Sequence, residues 1–250
     1  VASVVPKESI KHSQAIQMKK HIQNYLSKQG IECLVKVIPA ENPFVGVTHI
    51  AESYGLGALQ PNTRIIGESE TEGSQADYCN MIHRFYELNR NVLIVHKGKQ
   101  EVTFGNKKRI DIWWGGLKGN GGLMMILAHL VNDSIDWRQA RVHIKMVIND
   151  TSAVESTYSN MAKMLEEIRI DAEIDIIPME NKKFDDILIE NSFDADLIFL
   201  GLAKPSKNFL EYYDAVQLRI KELPTTILAL AAQEVSFGEI LIKQEASQDN

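Results

Sequence analysis

The stretch RIDIWWGGLKGNGGLMMILAHL, residues 109–130, admits three readings: a phosphate-binding loop, a membrane segment, or a joint between two halves of a larger unit. Ile110, Ile112 and Trp114 alternate with Asp111 and Trp113, the period-2 pattern of a strand. Glycines follow, and then an apolar block from Leu123 that carries a single histidine. The longest uninterrupted apolar runs in the chain, Leu123 to Ala128 and Ile227 to Ala232, are six residues each. A bilayer span needs roughly 20, and no secretory signal is present, so the chain as given is expected to be soluble. The glycines also lack G-x-G-x-x-G, because Gly119 and Gly121 are followed by Gly122, Leu123 and Met124, and they lack the G-K-[ST] ending of a P-loop. The remaining reading is a joint, with GGLKGNGG as a hinge. A helix starting at Leu123 would be buried against one half, between the two, or at a contact with another copy of the chain.

On both sides of that joint the same order of elements occurs. IECLVKVIP at 31–39, TRIIG at 63–67 and NVLIVH at 91–96 are short β-branched runs. Met18, Ile22, Tyr25 and Leu26 form one helical stripe, and Tyr78, Met81, Ile82, Phe85 and Tyr86 another. VASVV opens the chain as a first strand, or as the end of one begun upstream; a start at Val1 without methionine is read as a processed product or an excised piece. After residue 140 come VHIKMVI at 142–148, a helix begun by a Ser152/Glu155 capping box with Met161, Met164, Leu165 and Ile168 on its buried face, and then IDAEIDIIP, DLIFLG and TTILAL. Phe209, Tyr213, Val216 and Ile220 mark the last helix. Nearly continuous apolar strands alternating with one-sided helices predict a mainly parallel, doubly wound α/β layout. One short sequence also recurs, VIPAEN at 37–42 against IIPMEN at 176–181, 139 residues apart. Ile31 then pairs with Ile170 and Leu26 with Leu165; further on, Gly67 pairs with Gly201 and Leu93 with Ile227 at an offset of 134. Two similar α/β lobes are expected, residues 1–118 and 119–250, with the boundary inside the glycines.

Composition narrows the function. The 250 residues carry a formal charge of -6, with Lys and Arg scattered and no basic cluster, so nucleic acid is excluded as a partner. Cys33 and Cys79, one in a predicted strand and one in a predicted helix, suit buried thiols in a reducing compartment. There is no G-x-S-x-G elbow, no H-E-x-x-H and no C-x-x-C. His12 and His21 are nine apart on one helix, too far for a shared metal; His96 and His143, in or beside strands, read as structural histidines. Glu166-Glu167 and Asp185-Asp186 read as solvated charge on helices. No catalytic, cofactor-binding or metal-ligating residue is assigned, and an enzyme is not expected. The α/β plan is similar to that of universal stress proteins, which wrap ATP phosphates with G-x-x-G and a later G-[ST] after their fourth strand. Here Gly67 leads into ESETEGSQ, whose acidic residues would repel a triphosphate, and position 204 is Lys.

Two local sequences resemble the cytoplasmic C-terminal domain of the cation-chloride cotransporters. IDIWWGGLKGNGGLMMILAHLV at 110–131 resembles that family's double-tryptophan signature through Asp111, Trp113, Trp114, Gly121, Gly122 and Leu123. AESYGLGALQPNTRIIGE at 51–68 is similar to a second family segment through Gly55, Leu56, Gly57, Pro61, Asn62, Thr63 and Gly67. Two features depart from the family: Asn120 stands where an acidic residue usually precedes the Gly-Gly pair, and the long inserts with phosphorylation sites are missing, so a prokaryotic-type member is the better match. The resemblance implies a regulatory, homodimerising domain on the cytoplasmic face of the membrane. It would be attached to a transporter domain that carries chloride with sodium, potassium or both, would use no cofactor, and would insert no segment into lipid itself. The alternative is a tandem nucleotide-sensing protein of universal stress type.

Overall fold

Runs rich in Val, Ile and Leu become strands because branched side chains pack well on a pleated surface, and the one-sided segments between them become helices laid over that surface. The computed structural model describes residues 1–7, 12–53, 60–69, 73–98, 104–115 and 118–233. In order they form β1 (Ala2–Pro6), α1 (His12–Lys28), β2 (Lys36–Ala40), α2 (Pro43–Ser53), β3 (Thr63–Gly67), α3 (Gln75–Glu87), β4 (Asn91–His96), β5 (Arg109–Trp113), α4 (Lys118–Asn132), β6 (Arg141–Ile148), α5 (Val154–Glu167), β7 (Glu173–Pro178), α6 (Phe184–Ser192), β8 (Leu197–Gly201), α7 (Phe209–Ile220) and β9 (Thr226–Leu230). The α/β class and the mainly parallel sheet are as the sequence predicts.

Strand partners differ from the expected arrangement in two ways. The strand β5, read as closing the first lobe, lies between β6 and β8 at the centre of the second half, so a division at residue 118 does not follow the sheet. The two halves also share one seven-stranded sheet, in the order β3-β4-β9-β8-β5-β6-β7, instead of closing two sheets of their own. They join where β4 runs antiparallel to β9, with Val92 opposite Leu230 and Ile94 opposite Leu228. β1 and β2 form a separate parallel pair. The physical reason is that β4 and β9 are both the last strands of their halves. Each has a free edge, and pairing the two removes both edges from water.

Packing follows the sheet across the joint. On one face α3, α6 and α7 cover a core that runs from Phe85 and Ile94 in the first half to Tyr213 and Leu228 in the second. Tyr78 and Tyr213 meet with ring centroids 5.7 Å apart, and Gln75 donates to Gln217 at 2.8 Å. α4 and α5 cover the other face over Ile110, Ile144, Phe199 and Ala229. The predicted stripe of α7 is fully borne out: Phe209, Tyr213, Val216 and Ile220 are all buried. The stripe of α1 is not, since Met18, Ile22 and Leu26 are only half-buried and Tyr25 is exposed.

Local starts and thiols also depart from expectation. The helix after β6 begins through a 3-10 turn at Thr151–Ala153, and the capping oxygen belongs to Asp150, whose Oδ1 accepts from Ser152 N at 2.9 Å and Ser152 Oγ at 2.7 Å. Asp150 takes the cap because its carboxylate reaches the free amide two residues on, and the bonds from the Ser152 hydroxyl and then its amide hold the Asp150 pKa below the usual value. Cys33 lies outside any strand and is exposed, because β2 starts only at Lys36, whereas Cys79 is buried in α3. Burial and the nearby Asp214 carboxylate push the Cys79 thiol up to about 11. At pH 8 a disulfide reagent such as Ellman's is therefore expected to titrate one thiol per native chain and two after denaturation; two reactive thiols in the native state would contradict this packing.

Candidate functional site

In a parallel sheet with helices on both faces, the crevice forms where connections leave neighbouring strands in opposite directions, outside their carboxyl ends. In this chain that place is the end of β5, between β6 and β8, and it holds a cavity of about 510 Å³ walled by Trp113, Trp114, Asn120, Phe184, Tyr212 and Arg219. The 109–130 stretch builds it.

Each residue of that stretch has a local task. Asp111 is fully buried and accepts from Arg109 Nε at 2.9 Å and Arg109 Nη2 at 3.1 Å. It also accepts from Ser192 Oγ at 2.5 Å, and Ser192 in turn accepts from the Trp113 indole at 3.0 Å. Arg109 reaches on to Asp194 and the Asn191 carbonyl, both at 2.7 Å, so β5 is fastened to the end of α6. Burial opposes the Arg109 charge, but its bond to Asp111 and the surrounding carboxylates outweigh this and raise its pKa. Trp113 also meets Phe184 edge-on, with centroids 5.6 Å apart.

Of the glycines expected to act as a hinge, Gly119, Gly121 and Gly122 lie within α4 instead, Gly115 precedes the helix, and Gly116 lies outside the described residues. A Cβ at Gly121 would fall 2.5 Å from the Trp114 ring, so glycine lets the helix sit on that indole. Asn120 donates to the Leu202 carbonyl at 2.7 Å and accepts from Ala231 N at 2.8 Å, tying the first turn of α4 to the ends of β8 and β9. A carboxylate could not make the first of these bonds, which gives a physical account of the asparagine in this chain. The apolar block lies against the chain's own sheet: Leu123, Met124, Met125 and Ala128 are all buried.

The crevice offers little to a phosphate. Leu202 N is donated to Ala229 O and Ala203 N to Tyr212 Oη, both at 2.8 Å, so these two amides after β8 are engaged within the protein. Arg219 donates to Asp185 at 2.5 Å and lies 5.4 Å above the Phe184 ring. Asp185 is therefore an ion-pair partner and not the solvated charge expected of it, whereas Glu166 and Glu167 are exposed as expected. The arrangement suits an apolar or aromatic group held by surface contact.

The structural histidines have partners: His96 Nδ1 lies 2.7 Å from Glu68 Oε2, and His143 Nδ1 lies 3.3 Å from Asp175 Oδ2. Among the described residues no group of three or more His, Cys, Asp or Glu could hold a metal ion, and no helix is long and apolar enough to cross a membrane. Gly55, Leu56 and Gly57 of the second motif lie outside the described residues. Asn62 and Thr63 lead into β3, where the Asn62 carbonyl accepts from Asn91 N at 2.8 Å.

Two residues that matter locally carried no sequence signal of a site. Asp196, nearly buried, accepts from the amides of Asn106, Lys108 and Arg109 at 2.7, 2.7 and 2.9 Å and sets the entry into β5. Lys145, on β6, is buried and donates to Asp175 at 2.7 Å. Burial works to raise the Asp175 carboxyl, but Lys145 and His143 beside it outweigh that and lower its pKa.

The fold and crevice define a class, α/β proteins with a mainly parallel sheet covered by helices on both faces. A universal stress protein from Archaeoglobus fulgidus DSM 4304 has a similar fold, with a TM-score of 0.56 and 13% identity over 86% of this chain and 76% of that one. A functionally unknown protein from Pseudomonas aeruginosa PAO1 reaches 0.55 at 12% identity, over 99% of this chain and 86% of that one. Within the class the resemblance read from the sequence stands. Residues 99–186, from before β5 into α6, match the family model Solute carrier family 12. The cytoplasmic domain of a prokaryotic cation chloride cotransporter is similar in fold, with a TM-score of 0.68 and 16% identity over 96% of this chain and 86% of that one.

Two outcomes are expected in urea titrations. Asp111→Ala should cost about 3 kcal/mol, because Arg109 and Ser192 lose a buried acceptor; a loss below about 1 kcal/mol would mean that the network is idle. Asp175→Asn should cost about 2 kcal/mol at pH 7 by leaving Lys145 unpaired. Since the folded pKa of Asp175 is lowered, its stabilisation is present above the unfolded value near 3.9 and is lost as pH falls through the folded one, so the gap between variant and parent should close below about pH 4.

Proposed function

We propose that this chain is the cytoplasmic regulatory and dimerising domain of a cation-chloride cotransporter, coupling contacts inside the cell to movement of chloride with sodium, potassium or both by a membrane domain. The observation that carries this reading is the solute carrier family 12 match over 99–186, which falls on the segment that builds the centre of the sheet and the crevice. The similar fold of a cotransporter's cytoplasmic domain supports it, as does a crevice whose polar groups are largely engaged within the protein. A sheet continuous across both halves resists rotation of one half against the other, so pairing of two copies, rather than movement at the glycines, is the mechanical input that fits.

The second reading, a tandem nucleotide sensor of universal stress type, draws on the similar fold of the archaeal stress protein. The engaged amides of Leu202 and Ala203 and the Lys204 position weigh against it.

Sedimentation at micromolar concentration is expected to show a dimer; a strict monomer across that range would contradict the pairing. Calorimetric titration with ATP is expected to give no binding tighter than about 1 mM, and tighter binding would favour the nucleotide sensor. In liposomes, the parent carrier lacking this domain is expected to show altered chloride-dependent cation uptake; uptake identical to that of the whole carrier would contradict the regulatory role.

A further inference from the structure

The two halves match strand for strand except at one place. β1 pairs with β2 in parallel as β6 pairs with β7, and β3 corresponds to β8 through Gly67 and Gly201. In the second half β5 fills the space between β6 and β8. In the first half no strand among the described residues lies between β1 and β3, and the β1-β2 pair stands apart from the main sheet. The gap is a groove of about 880 Å³, lined on its apolar side by Val35, Ile50, Ile65, Ile66 and Phe85.

Three observations describe what fits. First, among the described residues β1 and β3 are each paired on one side only, and Ala2 of β1 and Thr63 to Ile66 of β3 line the groove, so an unpaired edge on each is the template for one more parallel strand. Second, Ile65 is 70% exposed, whereas Phe199, its counterpart 134 residues later, is 0% exposed beneath α4. A strand alone would leave Ile65 open, so a covering helix is needed as well. Third, among the described residues the groove wall carries the cations Lys19 and Arg64 and no carboxylate. The central strand of the second half carries the buried Asp111, and an acidic residue would complement this wall in the same way.

We infer that the groove receives a strand and helix of the same protein preceding Val1: a parallel strand of about five residues with one acid, then an apolar helix crossing back to β1. That is the right-handed crossover β5-α4-β6 repeated, and only a segment joined to the start of β1 can make it. This inference does not depend on the proposed transport role.

Hydrogen exchange read by mass spectrometry tests it, comparing the 250-residue chain with a version carrying roughly 40 residues of its natural sequence before Val1. The expected result is that the amides of β1 and β3 exchange at least about tenfold more slowly in the longer chain, with β6 and β8 unchanged. Equal protection in both versions would overturn the inference. So would protection in the 250-residue chain that rises with concentration, which assigns the groove to a second copy, or that disappears on removing residues 234–250, which assigns it to the chain's own tail. Ile65→Asp gives an independent reading: it should leave the melting temperature of the shorter chain nearly unchanged and lower that of the longer one by several degrees. Equal effects in both would count against the filled groove.

Discussion

The antiparallel pairing of β4 with β9 is the constraint on which the rest of the molecule depends. Five residue pairs, from Val92–Leu230 to His96–Thr226, turn two repeated halves into one sheet. Once that seam exists, α3 and α7 lie side by side over it, and the Tyr78–Tyr213 and Gln75–Gln217 contacts follow. At the same seam the backbone of Gly98 approaches so closely that a Cβ there would fall 2.6 Å from the Pro224 carbonyl carbon. A core that crosses the joint makes the halves mechanically one body. Separating them would expose Phe85, Tyr213 and Leu228 together, at roughly 1.5–3 kcal/mol for each large side chain.

Much of this could be read from the residues. Hydrophobic runs gave β3, β4, β6, β8 and β9 nearly to the residue, and the spacing of Phe209, Tyr213, Val216 and Ile220 gave the buried face of α7. The VIPAEN/IIPMEN recurrence pointed to the repeated plan. What could not be read was partner choice. The alternation in 109–113 identifies a strand but says nothing about which strands flank it, and β5 belongs with β6 and β8, which lie after it in the chain. The glycines misled for a related reason. A flexible hinge and a helix that must clear an indole ring both ask for glycine, and only the position of Trp114 distinguishes them. α1 shows the converse case: its apolar stripe is present, yet the open groove beside β1 leaves the first half incompletely covered, and the stripe stays half-exposed.

The double-tryptophan signature is architectural chemistry. Asp111 and Trp113 fasten β5 to α6 through Ser192, Trp114 seats α4 through Gly121, and Asn120 joins the ends of β8 and β9. Together they fix the crevice at the switch point while engaging the polar groups that would otherwise serve a ligand. Such a body suits relaying contacts between protein surfaces, in line with the role proposed for it.

The central claim is that both halves unfold as one unit through the β4–β9 seam, and the chain carries a separate reporter in each half. Trp113, Trp114 and Trp137 all belong to the second half, and the buried Cys79 belongs to the first. Tryptophan emission and Cys79 alkylation, followed across the same urea series, should give coincident midpoints. Cys79 becoming reactive at a clearly lower urea concentration than the tryptophan transition would show the halves to be independent and would contradict the account.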